Sequence, residues 1–214
     1  RTQEILYALN QLELEKRLPE LNYFVDSPLS QKATEVIKSY PDNYNEKLQK
    51  ILKIDEDPFM FKGLKYVENA EDSKQLVNYN EPCVIISASG MADAGRVKHH
   101  IISTIENAKN TILFVGYCEK TSLGGQLING EKAVEIFGDS FEVKAEVSQL
   151  QSMSAHGDYD DLLKFLGTQD SQQLKQLFLV HGEFEVQKDF SERLQRRGFE
   201  NVIVPGMHNE YELE

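Results

Sequence analysis

Three short segments of this chain carry residue types that can bind or transform a phosphate. The first is Ser89-Gly90-Met91, followed by Gly95 and Arg96, and it lies where an apolar strand pattern gives way to a helical pattern. The N-terminal end of a helix presents unpaired backbone N–H groups, and glycine lets an anion approach them closely. The segment therefore fits a phosphate-binding loop. It fits equally a tight turn in which glycine is needed only for the backbone dihedral angles that it can adopt.

The other two segments contain a histidine next to a strand end. Ser154-Ala155-His156-Gly157-Asp158 precedes a helical pattern that Asp158 is expected to cap, so the histidine here is either functional or incidental to a helix start. His181-Gly182-Glu183 follows an apolar run, and strand ends in α/β proteins open onto clefts where histidine can reach a ligand or a metal. The chain has five histidines but no His-x-His or Cys-x-x-Cys spacing, so it does not supply a complete zinc site.

Apolar periodicity predicts the elements that position these segments. Helices are expected over 3–17, from 28 to about 40 and over 159–166, with two more carrying Val97 to Ile105 and Val186 to Leu194. Strands are expected over 23–25, 83–86, 111–117, 177–180 and 202–204, with a hairpin of 133–137 and 141–150 joined across 138–140. Residues 43–80 give no clear pattern. The alternation of strands and helices predicts an α/β fold with a mainly parallel, helix-covered sheet. Near residue 128 this alternation gives way to a pattern of paired strands.

Composition narrows the class of protein. With 214 residues, 40% of them hydrophobic and 27% charged, the chain falls within the range of ordinary globular domains. It has neither a membrane-spanning apolar run nor a secretory pattern, so we expect a cytoplasmic protein with Cys83 and Cys118 reduced in its core. The net charge of −12 argues against a broad nucleic-acid-binding surface. However, the acidic charge is concentrated in the C-terminal part: residues 128–214 contain 8 basic and 17 acidic residues, whereas residues 90–127 contain 4 basic and 3 acidic residues.

These segments, in this order, resemble the β-CASP branch of the metallo-β-lactamase superfamily, a group of RNA- and DNA-cleaving enzymes. The resemblance is carried by six segments: Arg1-Thr2-Gln3-Glu4, Val25-Asp26-Ser27-Pro28, Ser89-Gly90-Met91 with Gly95-Arg96 and His100, Val115-Gly116-Tyr117, Ser154-Ala155-His156, and Val180-His181-Gly182-Glu183. It implies a β-CASP domain over residues 1–128. Residues 129–214 are then the C-terminal part of a metallo-β-lactamase fold.

The resemblance also implies roles for particular residues. His156 is expected to act as a general acid at the scissile phosphate, with Glu4 orienting its ring, and His181 to bind one of two zinc ions. The RNA phosphates are expected to contact Ser89, Gly90, Met91, Gly95, Arg96 and Ser154. The family's main zinc motif, His-x-His-x-Asp-His, has no match in this chain. We therefore expect the N-terminal lobe of the same protein to be missing, and the fragment to hold no zinc and to be inactive alone.

Three hypotheses remain open at this stage. The leading one is a fragment of a zinc-dependent ribonuclease that hydrolyses phosphodiester bonds of single-stranded RNA and contributes the RNA-binding β-CASP domain and part of the active site. The second is a non-catalytic RNA- or phosphate-binding module of a decayed nuclease. The third is an unrelated nucleotide-binding domain that uses Gly90 for a cofactor phosphate. Because residues 128–214 lack most of their sheet partners, an exposed apolar face or a homodimer is also expected.

Overall fold

The chain forms two compact units, Arg1–Ala155 and His156–Glu214, in a computed structural model that describes residues 1–153 and 157–212. The first unit contains six α-helices among its described residues: α1 (Thr2–Leu14), α2 (Pro28–Lys38), α3 (Glu46–Ile51), α4 (Ala70–Val77), α5 (Val97–Thr104) and α6 (Leu123–Ile128). Its strands are β1 (Asn22–Asp26), β2 (Leu64–Tyr66), β3 (Cys83–Ser87), β4 (Thr111–Val115), β5 (Ala133–Ile136), β6 (Asp139–Glu142) and β7 (Glu146–Leu150).

A three-stranded parallel sheet in the order β2-β1-β3 forms the first half of this unit. The side chains of Tyr23, Phe24 and Val25 on β1 are all buried, as a continuous apolar run predicts for a strand covered on both faces. One face packs on Leu6 of α1 together with Phe59 and Phe61. Three of the elements in this half, α3, β2 and α4, lie within residues 43–80, for which the sequence predicted nothing.

The second half of the unit is built on β4, which pairs in parallel with β7. The hairpin pairs β5 with β6, so the single strand predicted over 141–150 is wrong. The backbone N–H of Val143 donates to Lys132 O, and those of Lys144 and Ala145 donate to Ile105 O. These bonds lead the chain out of the hairpin and bring β7 alongside β4. Residues 129–153 thereby join the core of the first unit.

The second unit contains α7 (Tyr159–Leu166), β8 (Leu177–Phe178), α8 (Phe184–Gln195) and β9 (Val202–Ile203), and β8 and β9 pair in parallel. Its core is formed by Phe190, Leu194 and Phe199. Asp158 caps α7 as predicted, and the side chain of Asp161 completes a capping box. The unit also exposes a set of large apolar side chains: Phe165, Val180, Phe184 and Met207.

The α/β class with mainly parallel strands is confirmed, since four of the five strand pairings among the described residues are parallel and only the β5–β6 hairpin is antiparallel. Both cysteines are free, with Cys118 buried and Cys83 partly buried. Within the described ranges, no helix combines the length and the apolar character needed to cross a membrane.

Candidate nucleic-acid interface

The loop from Ala88 to Arg96 connects the carboxyl end of β3 to α5 and is tied down along its length. It begins with a cis peptide bond between Ala88 and Ser89. Further along, Met91 O accepts a hydrogen bond of 2.8 Å from Gly124 N, and Asp93 Oδ1 accepts one of 2.9 Å from Leu123 N. Both bonds come from the start of α6. The loop is therefore an ordered part of the sheet edge.

Gly95 is required by its surroundings at the end of this loop. Its φ of +84° lies in the left-handed region, and a Cβ added there would lie 2.9 Å from the backbone oxygen of Ala88. A residue with a side chain would therefore clash with Ala88 O and would also have to adopt a φ value that only glycine adopts readily. The structure thus supports a conformational role for Gly95, and a direct contact between Gly95 and phosphate stays a prediction.

The loop leaves hydrogen-bond donors available at its tip. Within the part of the chain that the structure describes, the backbone N–H groups of Gly90 and Met91 donate to no residue. Gly90 is exposed, and Met91 and Ser89 are half-buried. Two adjacent unpaired N–H groups on an ordered loop at a strand end form a suitable binding place for an anion.

A guanidinium lies against this tip, and it belongs to a residue to which the sequence analysis assigned no role. A Cβ placed at Gly90 would lie 2.9 Å from Arg1 Nη1, and one placed at Gly116 would lie 2.8 Å from Arg1 Cζ. Two glycines, one after β3 and one after β4, thus make room for the Arg1 side chain. That guanidinium donates no hydrogen bond to any described residue. The sequence signal that could have indicated a role for Arg1 was its position three residues before Glu4, which places both residues on one helical turn.

Cys118 supports the same tip from the protein interior. Its Sγ lies 3.2 Å from Gly90 O and donates a hydrogen bond to it. Burial raises the pKa of the Cys118 thiol, while the charge of Arg1 acts in the opposite direction. The thiol is therefore protonated at neutral pH and available as a donor.

Arg96, predicted to contact phosphate, directs its side chain into the protein. Its Nη1 lies 2.6 Å from Asp26 Oδ1 and 3.2 Å from Val67 O, and its Nη2 donates to Glu68 O at 3.1 Å. These contacts anchor the end of the loop to the edge formed by β1 and β2. They support a positioning role for Arg96, and its predicted contact with phosphate remains untested.

Asp26, at the end of β1, is the centre of this anchor. Its side chain is 0% exposed. Its Oδ2 accepts hydrogen bonds of 2.6 Å from Ser73 Oγ and from His100 Nε2, in addition to the bond from Arg96 to Oδ1. Burial alone raises the pKa of this carboxyl, but the three hydrogen bonds and the coulombic effect of His100 together lower it below its usual value. Asp26 is therefore a buried carboxylate held by three donors.

The predicted catalytic residues are distributed over both units. Glu4 lies in the first turn of α1 in the first unit and is exposed. His181 is exposed in the second unit, two residues beyond Leu179, whose N–H continues the pairing with β9, and it has a left-handed φ of +65°. His156 and Ser154 lie outside the described residues. That Glu4, His156 and His181 face one cleft stays a prediction.

The described residues do not by themselves provide a metal site. Over residues 1–153 and 157–212, no group of three or more histidine, cysteine, aspartate or glutamate side chains is placed to hold an ion. A zinc site needs at least three protein ligands, and the assignment of His181 to such a site stays a prediction.

Two family models match successive parts of this chain. Residues 2–127, more than half of the chain, match the family model of the Beta-Casp domain. Residues 140–205 match the model described as the Zn-dependent metallo-hydrolase RNA specificity domain. The domain boundary that the sequence analysis placed at residue 128 stays a prediction.

Individual relatives are similar over most of this chain. Ribonuclease TTHA0252 of Thermus thermophilus is 33% identical over 200 residues, which are 94% of this chain and 45% of that protein. The RNase J-like protein of Methanocaldococcus jannaschii is 29% identical over 86% of this chain and 41% of its own length. The transcription termination factor FttA of Methanosarcina mazei is 24% identical over 92% of this chain and 32% of its own length. The chain thus spans less than half of each of these relatives, and it belongs to the β-CASP family of the metallo-β-lactamase superfamily.

Proposed function

We propose that this chain is the RNA-binding portion, and part of the active site, of a zinc-dependent ribonuclease that hydrolyses phosphodiester bonds of single-stranded RNA. The observation that carries the proposal is the tip of the Ala88–Arg96 loop. There the N–H groups of Gly90 and Met91 lie beside the guanidinium of Arg1, and none of these groups donates a hydrogen bond to a described residue. N–H groups and a guanidinium together bind a phosphate diester through charge-assisted hydrogen bonds.

The names of the relatives favour RNA as the polymer that supplies this phosphate. One relative is named a ribonuclease, and the domain matched by residues 140–205 is described by its RNA specificity. Recognition through backbone phosphates carries no sequence information, so the loop fixes the position of the strand and leaves its sequence to other contacts.

In this proposal His156 donates a proton to the leaving oxygen and Glu4 orients the imidazole. A carboxylate that accepts from one ring nitrogen fixes the tautomer and favours the protonated ring, which suits a general acid. The proposal gives both residues the roles that their family motifs imply.

The zinc ions of the proposed enzyme need ligands from outside these 214 residues. We predict that the purified chain, after dialysis against a chelator and then against zinc-free buffer, holds no stoichiometric pair of zinc ions. The reason is that His181 is the only residue of this sequence that the family resemblance identifies as a zinc ligand. Metal analysis by mass spectrometry checks this, and two tightly held ions per chain would contradict it.

Substitution of Arg1 tests the phosphate site directly. We expect Arg1→Met to weaken binding of a fluorescently labelled single-stranded RNA about tenfold or more, because a hydrogen bond to a charged group contributes roughly 1.5–3 kcal/mol. The slope of log affinity against log salt should also become shallower by about 0.7, which corresponds to one phosphate contact fewer. Fluorescence anisotropy over a range of salt concentrations measures both quantities.

Arg17→Met is the matched control, because Arg17 is exposed and already paired with Glu15 at 2.7 Å. It should leave affinity and salt slope nearly unchanged. Equal losses in the two variants would show that the effect reflects net charge, and would remove Arg1 from the site.

A non-catalytic RNA-binding module is the second candidate. It is favoured by a relative named as a transcription termination factor. The full-length protein separates the two candidates. A ribonuclease cleaves the labelled RNA and loses this activity on chelation, whereas a binding module retains the RNA uncut.

A further inference from the structure

Phe137 occupies a position in the β5–β6 hairpin that hairpin formation does not require. It forms the two-residue turn with Gly138, and both residues have left-handed φ values, +55° and +90°. A turn of this kind strongly prefers asparagine, aspartate or glycine at its first position, and a bulky residue there is strained. The ring is nevertheless 60% exposed, so burial does not compensate for the strain. The phenylalanine therefore has a reason for its position other than the stability of the turn.

Two side chains from α5 lie against the exposed ring. Lys98 Nζ is 4.3 Å from the centroid of the Phe137 ring. The centroid of the His99 ring is 5.2 Å from that of Phe137, and the two ring planes are inclined by 33°. His99 is itself exposed. The three side chains form a surface cluster of two aromatic rings and one cation, which is called the Phe137 cluster below.

The Phe137 cluster adjoins the candidate phosphate loop. Lys98 and His99 are the second and third residues of α5, which follows directly after Arg96. The N–H of Lys98 donates to Gly95 O, so the cluster begins within one helical turn of the loop, a rise of about 5.4 Å. This stretch also belongs to the least acidic part of the chain, with 4 basic and 3 acidic residues over 90–127.

We propose that the Phe137 cluster is a base-stacking subsite for single-stranded RNA, in which a nucleobase stacks on the exposed aromatic surface beside Lys98. The proposal rests on the proposed function, because the loop at Gly90 supplies the phosphate contact for a neighbouring nucleotide. Single-strand-binding proteins commonly combine a positively charged track for the backbone with aromatic rings for the bases. Every base has a π-face, so this subsite tolerates any sequence, and Lys98 adds attraction for the backbone.

Removal of the aromatic ring gives the first test. We expect Phe137→Leu, which keeps an apolar side chain at the turn, to weaken binding of labelled oligouridylate roughly fivefold or more, the lower end of measured base-stacking effects. Tyr40→Leu is the control, because Tyr40 is an aromatic residue with the same 60% exposure at the end of α2. An oligomer of abasic ribose phosphates serves as a second probe. It should bind wild type and Phe137→Leu equally, since it has no base to stack.

A second measurement does not depend on affinity. The chain contains no tryptophan, so Phe137→Trp introduces a single indole fluorophore at the cluster. We expect oligouridylate to quench its emission and the abasic oligomer to leave it unchanged. Tyr40→Trp, at the control position, should respond to neither probe.

The outcomes separate failure of this inference from failure of the proposed function. If wild type binds oligouridylate but Phe137→Leu binds it equally well and Phe137→Trp is not quenched, the subsite is overturned while the proposed RNA binding stands. If Phe137→Leu instead loses self-association in sedimentation experiments with RNA affinity unchanged, the cluster is a protein contact and the inference is wrong. Absence of RNA binding by wild type would overturn both.

Discussion

Replacement of Asp26 by alanine is expected to lower the free energy of unfolding by about 3–5 kcal/mol, the usual cost of removing one partner from a buried ion pair. The Asp26 side chain is fully buried, and that of Arg96 is only 24% exposed. Without the carboxylate, the guanidinium of Arg96 and Nε2 of His100 lose their acceptor in the protein interior. The other ring nitrogen of His100 does not compensate, because the buried Nδ1 has no hydrogen-bond partner among the described residues.

Urea unfolding at neutral pH measures this loss, with Asp42→Ala as the control. Asp42 is exposed in the short turn after α2, so its replacement should change stability by less than about 0.5 kcal/mol. Similar losses in the two variants would show that the Asp26 cluster contributes little to stability.

The same cluster predicts how stability depends on pH. The pKa of Asp26 is lowered in the folded state, so its contribution is complete above the pKa of an unfolded aspartate, about 3.9. The contribution is then lost as the pH falls through the lower pKa of the folded state. The stability difference between wild type and Asp26→Asn should therefore shrink as the pH falls below about 4. A difference that is independent of pH would contradict this assignment.

Replacement of His156 by alanine in the full-length protein is expected to slow RNA cleavage by about 100- to 10,000-fold, the usual contribution of a general acid. In the proposed mechanism His156 acts on the leaving oxygen and binds no metal, so the variant should keep its zinc. His181→Ala should lose both activity and zinc. Single-turnover cleavage of a labelled RNA, with metal analysis of the same preparations, measures the two effects.

His208 provides the matched control for these histidines. It is exposed in the loop after Gly206 and has a left-handed φ of +66°, so asparagine, which tolerates that conformation, is the appropriate replacement. His208→Asn should change neither cleavage nor zinc content. Equal zinc content in His156→Ala and His181→Ala would show that the proposed roles are wrong.

The strands that sequence patterns predict well are those with continuous apolar runs. Cys83 to Ile86 are partly buried, and on β4 Phe114 is buried while Ile112 and Val115 are partly buried, so the apolar residues of these strands reflect their environment. β2 was not predicted because it has only three residues and is an edge strand that pairs with β1 alone. The hairpin was extended too far because the apolar pattern continues from β6 into β7, and the change of pairing partner depends on hydrogen bonds to distant Lys132 and Ile105.

The candidate site shows the same division between local and distant information. The position of Ser89-Gly90-Met91 after a buried strand was predictable, because it depends only on the order of local patterns. The inward direction of Arg96 was not, since it depends on a carboxylate 70 residues earlier in the chain. Arg1 was missed for a similar reason, because the space for its guanidinium comes from glycines at positions 90 and 116.

The attachment of the Ala88–Arg96 loop at Asp93, Arg96 and Gly90 has a thermodynamic consequence for any anion that arrives there. The conformational entropy of this backbone is already lost when the protein folds, so little remains to be lost when a ligand docks. Association at such a rigid loop depends chiefly on desolvation and on displacement of counterions. It thereby differs from recognition by disordered segments, in which folding of the segment upon contact opposes binding.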